Sequence, residues 1–182
     1  LCKNDNYEVH AVKFLHSESC EYFLDDKVFC HSINIKSSNR IKAIIYRCKK
    51  LRKTIDAIDP YCIISLDSIR IISTIIAAMV GRKRSLVLSE RNDPRSHPSS
   101  KILRFLRLFA YSICNGVVFQ TNEAKLFFPK HIQAKSVVIC NPITNKLPDL
   151  HIGERDYRIV NFCRLTSQKN LELLIDSFFD IS

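Results

Sequence analysis

The chain has 182 residues, 46% apolar and 25% charged, which is enough to bury a core in one or two domains and excludes a disordered or fibrous polypeptide. Its formal charge of +10 points toward an anionic partner: nucleic acid, an anionic membrane surface or a phosphorylated substrate. Eight scattered cysteines, none in a CxxC pair, and six histidines without metal spacing argue against a disulfide framework and against zinc.

In chain order, "YEVHAVKFL" (7–15) and "KVFCHSINI" (27–35) read as strands. Residues 40–58 follow as a helix with Ile41, Ile44, Ile45, Cys48, Leu51, Ile55 and Ile58 on one face, closed by Pro60. "YCIISL" (61–66) is a buried strand, and a helix over 68–80 ends near Gly81. That helix holds the longest apolar stretch, 71–80, well short of the ~20 residues that cross a bilayer. The strand "SLVLSE" (85–90), a helix at 99–114, the strand "GVVFQ" (116–120), a short helix at 122–128 and the strand "SVVIC" (136–140) complete the series. Short apolar strands alternating with helices predict an α/β fold, a doubly wound Rossmann-like parallel sheet covered on both faces.

Residues 141–156, "NPITNKLPDLHIGERD", break this rhythm and read as an interdomain linker between a domain at 1–140 and the opening of a second at 157–182. The opening residues resemble the tail of a helix running into a strand, and the chain lacks an initiator Met. We therefore read it as a piece of a larger protein. Within 157–182, "YRIVNFC" (157–163) predicts a strand, with Thr166 and Ser167 as candidate N-caps. Leu171, Leu174, Ile175 and Phe178 then fall at helical spacing, with Lys169 in the first turn. Arg164, Lys169 and the helix N-terminus suit a phosphate. They equally suit a loop and a solvated helix start, and spacing leaves both readings open.

In open α/β sheets, ligands bind outside the carboxyl ends of the strands. Three strand ends qualify: "SERNDP" (89–94), "FQTNEAK" (119–125) and "CRLTSQKN" (163–170). Together with "NPI" (141–143), and in this order, they resemble the retaining family-4 glycosyltransferases of the GT-B fold. The likeness is to the bacterial branch that builds capsular polysaccharide and lipid-linked oligosaccharide. It covers nearly the whole chain and implies two Rossmann-like domains facing across a cleft, with the first strand and a Gly-rich loop of the first domain upstream of Leu1. It further implies that Arg164, Lys169 and Asn170 hold the donor diphosphate, and that Glu90, Arg91 and Asn92 face the acceptor and the reacting sugar. Gln120, Thr121 and Glu123 would line the cleft. Cys163 departs from the family pattern, which commonly has Gly before the Arg. A Cβ there could crowd the diphosphate.

The resemblance implies transfer of a hexose or N-acetylhexosamine, with retention, to a polyprenyl-diphosphate-linked glycan. The nucleotide diphosphate sugar, expected to be UDP-linked, is substrate rather than cofactor, and no metal is required. The truncated chain alone is expected to be inactive. By themselves Glu90, Arg91 and Asp93 also suit an Asx-type turn with Glu90 paired to Arg91, and Thr121 suits a helix N-cap. Basic residues cluster on two helices: Arg40, Lys42, Arg47, Lys49, Lys50, Arg52 and Lys53, and then Lys101, Arg104 and Arg107. They read either as solvated faces or as attraction to anionic lipid, which places the protein at the cytoplasmic face of a membrane. Two rivals remain: a nucleic-acid-binding module, for which the chain has no recognition motif, and a non-catalytic remnant of the same fold.

Overall fold

All strand pairings among the described residues are parallel, as expected where apolar strands are joined by helices that return the chain to its starting end. A computed structural model describes residues 6–14, 24–33, 39–66, 72, 75–77, 79–81, 84–142, 153, 158–166 and 169–179. The chain divides into two units, Leu1–Pro142 and Ile143–Ser182.

In the first unit β1 (Val9–Lys13) pairs with β2 (Val28–Ser32), Val9 opposite Val28. A separate four-stranded sheet follows sequence order: β3 (Cys62–Ser65), β4 (Ser85–Glu90), β5 (Gly116–Phe119) and β6 (Ser136–Val138). Strands lie where 7–15, 27–35, 61–66, 85–90, 116–120 and 136–140 were predicted, β4 over its full predicted length and the others shorter among the described residues. The single continuous sheet of the expectation appears as two sheets among the described residues.

Helix α1 (Arg40–Ile58) begins at the residue expected, because the Asn39 side chain accepts hydrogen bonds from the amides of Ile41 (3.0 Å) and Lys42 (3.1 Å). It ends when Asp59 takes a left-handed conformation, φ 50°, ahead of Pro60. Only the second half of its apolar face is covered. Leu51 and Ile55 are buried, whereas Ile41, Ile44 and Ile45 are exposed. Residues 72, 75–77 and 79 are helical, and Ile72 and Ile75 join the core. Helix α2 (Lys101–Ile113) presents Leu103, Leu106, Ala110 and Tyr111 inward, with Cys114 just past its end. Burial raises the Cys114 thiol pKa.

The helix expected at 122–128 is α3 (Asn122–Leu126), and a second short helix that was not expected follows it, α4 (Lys130–Ala134). Pro129 divides them, since proline cannot continue a helix from within but is suited to start the next. The core joins Leu86, Leu88, Val117 and Phe119 of the sheet to Leu51, Ile55, Ile72 and Ile132. At its centre Tyr111, Phe119 and Phe128 pack with ring centroids 5.1–6.4 Å apart. The six described cysteines are free thiols.

The second unit corrects two expectations. The described residues of the expected strand, 158–163, have no strand pairing, and Ile159, Val160 and Phe162 are exposed. A strand needs a neighbour for its backbone hydrogen bonds, and the described residues of this unit supply none. Helix α5 runs Leu171–Phe179 with no buried residue. Neither Thr166 nor Lys169 belongs to it, and Ser167 lies outside the described residues. Lys169 stands before the helix, its amide bonded to the Thr166 carbonyl (2.9 Å). The left-handed backbone of Asn170, φ 47°, separates that turn from the helix.

Candidate functional site

Six of the residues singled out at strand ends come together. A cavity of about 250 Å3 opens at the carboxyl ends of β4 and β5, lined by Glu90, Arg91, Asn92, Gln120, Thr121 and Glu123 with Asp93, Pro94, Arg95 and Ala124. The parallel register explains the convergence. Glu90 is opposite Phe119, so the loops that leave β4 and β5 begin side by side.

The β4 loop is held from below by a side chain that sequence reasoning placed on a solvent or lipid face. Arg107 of α2 is 4% exposed and Glu90 is 7% exposed. The Arg107 guanidinium donates to Glu90 Oε2 at 3.0 Å and to the carbonyls of Pro94 (3.0 Å) and His97 (2.5 Å). It also lies over the rings of Phe127 and Phe128, 5.8 and 5.0 Å from their centroids. A buried cation is tolerated only with such a partner set, which is why Arg107 turns inward while Lys101 stays exposed. The Tyr111 hydroxyl donates to the same Glu90 oxygen at 3.2 Å, and the Asn92 amide donates to Oε1 at 3.3 Å. Burial first, and then the Glu90 charge, drives the Tyr111 phenol far above its ordinary pKa, so it remains a donor. Glu90 is thus paired with Arg107 rather than with Arg91, and its carboxylate shapes the floor of the cavity.

The rest of the loop is an Asx turn. Asp93 accepts from the Ser96 hydroxyl at 2.6 Å and from the Arg95 amide at 3.0 Å, and these bonds lower its pKa. Arg104 closes the loop from outside by donating to the carbonyls of Pro98 (2.7 Å) and Arg95 (3.0 Å). On the β5 side Thr121 is the N-cap of α3, accepting from the Ala124 amide at 3.1 Å. The Gln120 amide donates to Asn141 Oδ1 at 2.8 Å. Glu123 is exposed in the first turn of α3, where the helix dipole favours a carboxylate.

The charges of the cavity balance. Arg91 and Arg95 line it together with Asp93 and Glu123, while Glu90 is already matched by Arg107. Such a site offers mixed donors and acceptors without net charge, which suits a polyol better than a phosphate. Among the described residues no cluster of His, Cys, Asp or Glu could hold a metal ion.

Arg164, Lys169 and Asn170 belong to the second unit and are not among the residues that line this cavity. Arg164 and Lys169 are exposed and flank a pair of turns in which the Thr166 amide bonds to the Arg164 carbonyl at 2.9 Å. Cys163 is not among the described residues with positive φ, so its backbone conformation is open to any residue.

Sequence reasoning missed Arg107 and Tyr111. The signal was present: Arg107 falls in phase with Leu103, Ala110 and Cys114, an arginine inside the apolar stripe of its helix. No protein-family model matches the chain, and comparison with the curated proteins finds no match.

Proposed function

We propose that the chain is the acceptor-side domain of a retaining GT-B glycosyltransferase, followed by the opening of its donor-binding domain. The observation that carries this reading is the convergence of "SERNDP" and "FQTNEAK" on one charge-balanced cavity at the carboxyl ends of neighbouring parallel strands. In this reading the cavity takes the acceptor glycan. Arg91, Asn92 and Glu123 hydrogen-bond its hydroxyls, and Glu90, fixed by Arg107 and Tyr111, keeps the loop in the receiving shape. The exposed cations Arg164 and Lys169, with Asn170, hold the diphosphate of a nucleotide sugar and stabilise charge as the sugar–phosphate bond breaks.

The acceptor is a polyprenyl-diphosphate-linked glycan, and the protein works on an anionic membrane surface. Helix α2 supports this part. Ile102, Phe105, Phe109 and Ile113 form an exposed apolar stripe at helical spacing, beginning beside Lys101. None of the described helices is long and apolar enough to cross a membrane.

Amide chemical-shift mapping of the chain tests the assignment. A soluble glycan diphosphate should move resonances of 91–95 and 120–124, and UDP should move those of 164–170. Shifts confined to other surfaces, or none with either ligand, would refute the reading.

A further inference from the structure

Helix α2 is apolar on two opposite faces. Leu103, Leu106, Ala110 and Tyr111 pack toward the core, while Ile102, Phe105, Phe109 and Ile113 form the exposed stripe, with Phe105 69% exposed. A helix that is apolar all round is ordinarily covered all round. The surroundings of the stripe are cationic. Arg91, Arg95, Lys101 and Arg104 are exposed, and the one acid between 91 and 113 is Asp93, whose carboxylate is taken up by the Ser96 hydroxyl and the Arg95 amide.

The same helix holds the wall of the cavity. Arg104 donates to the carbonyls of Arg95 and Pro98, and Arg107, one turn further on, to those of Pro94 and His97. Four of the five carbonyls from Pro94 to Pro98 thus end on two side chains of α2. The start of α2, however, is weakly held. The Ser100 side chain makes no capping bond, the first turn has no acid, and Lys101 sets a cation at the positive end of the helix dipole. The turn is closed by the Arg104 amide on the Ser100 carbonyl at 3.0 Å, so fraying there displaces Arg104 itself.

We infer that α2 couples the cavity to the membrane: docking of its exposed stripe on an anionic bilayer steadies the first turns of the helix and, through Arg104 and Arg107, the loop 94–98 that walls the cavity. This rests on the membrane reading above and adds what the membrane does to the site. The occupant is an anionic bilayer because an apolar interior bounded by negative headgroups matches both the stripe and its cationic rim. An uncharged apolar partner would leave the four cations without counter-charge. A bilayer that binds the ordered turn better than the frayed one shifts the population toward order. The two Arg104 bonds need that turn, so the cavity wall is firm on the membrane and looser away from it.

Hydrogen–deuterium exchange on the 182-residue chain tests this, with vesicles of phosphatidylcholine alone or of phosphatidylcholine and phosphatidylglycerol in equal parts. At saturating anionic vesicles, exchange at 95–97 and at 101–105 should slow by about tenfold, and exchange in β5 should not change. Phe105→Asp should abolish both effects and Phe105→Leu should keep them; neither needs buried space, because Phe105 is exposed. Arg104→Met should still bind saturating vesicles and protect 101–105, but lose most of the protection at 95–97, because both of its carbonyl bonds are gone. If no vesicle binds, the membrane reading and the coupling fall together. If anionic vesicles bind but leave 95–97 unprotected, or protect Arg104→Met as fully as the parent chain, the coupling falls and the membrane reading stands. Equal protection by neutral vesicles, or protection that rises with the concentration of the chain alone as copies associate, also overturns the inference.

Discussion

Replacing Arg107 with Met asks whether the loop under the cavity is held by one buried ion pair. The substitution preserves much of the side-chain volume but leaves the Glu90 carboxylate, 7% exposed, with only the Tyr111 hydroxyl and the Asn92 amide. Removing one member of a buried pair costs about 3–5 kcal/mol. The carbonyls of Pro94 and His97 also lose their donor, which places Arg107→Met well inside that range, at ~4 kcal/mol. Glu90→Gln should cost less, about 2 kcal/mol, because Arg107 keeps both carbonyls and an amide oxygen. The double variant removes both charges and should cost about 4 kcal/mol instead of the additive ~6, a coupling of roughly 2 kcal/mol. Urea unfolding followed by circular dichroism, with unchanged m values, measures each corner of the cycle. Should Arg107→Met not fold, Arg107→Lys keeps the charge without the planar fork and allows the same cycle with Glu90→Gln. Additivity within about 0.3 kcal/mol, or a cost below ~1 kcal/mol for Arg107→Met, refutes the account of Arg107 as the anchor of the loop.

Thr121→Ala removes the N-cap bond to Ala124 and should lower stability by about 1 kcal/mol in urea unfolding; Thr121→Ser should restore most of it. Lys169→Ala should change stability by no more than about 0.5 kcal/mol, because the side chain is exposed, while abolishing the UDP-dependent shifts at 164–170. Unchanged shifts in that variant count against the diphosphate role. The Asp93 carboxyl has a lowered pKa, caused chiefly by the Ser96 hydroxyl and then by the Arg95 amide. Its contribution to the turn is therefore present above the ordinary carboxylate range and is lost as pH falls through the lowered value. Amide exchange across 93–97, compared with Asp93→Asn, should show that loss only in the parent chain. On vesicles, sedimentation with anionic lipid should fall as salt rises and should weaken with Phe105→Asp, which breaks the exposed stripe of α2. Equal binding to neutral vesicles contradicts the electrostatic part of that reading.

Local signals determined where most elements lie. Asn39 and Pro60 bracket α1, the apolar run 85–90 is β4, and the spacing of helices between strands requires parallel pairing. These properties depend on neighbours in the chain, so they are legible there. The cavity at the ends of β4 and β5 was legible for the same reason, since parallel strands place their carboxyl ends together. What the sequence could not decide depends on partners distant along the chain. Arg107 turned inward because a carboxylate seventeen positions away and two loop carbonyls waited there, which composition alone cannot distinguish from a solvated helix face. Residues 158–163 have the composition of a strand, but pairing needs a second strand, and the described residues of that unit offer none. The helix start expected at Thr166 gives way to the left-handed backbone of Asn170, after which α5 begins. Composition sets which residues favour burial or extension; only the tertiary structure decides whether a charge finds its counter-charge and an edge finds its neighbour.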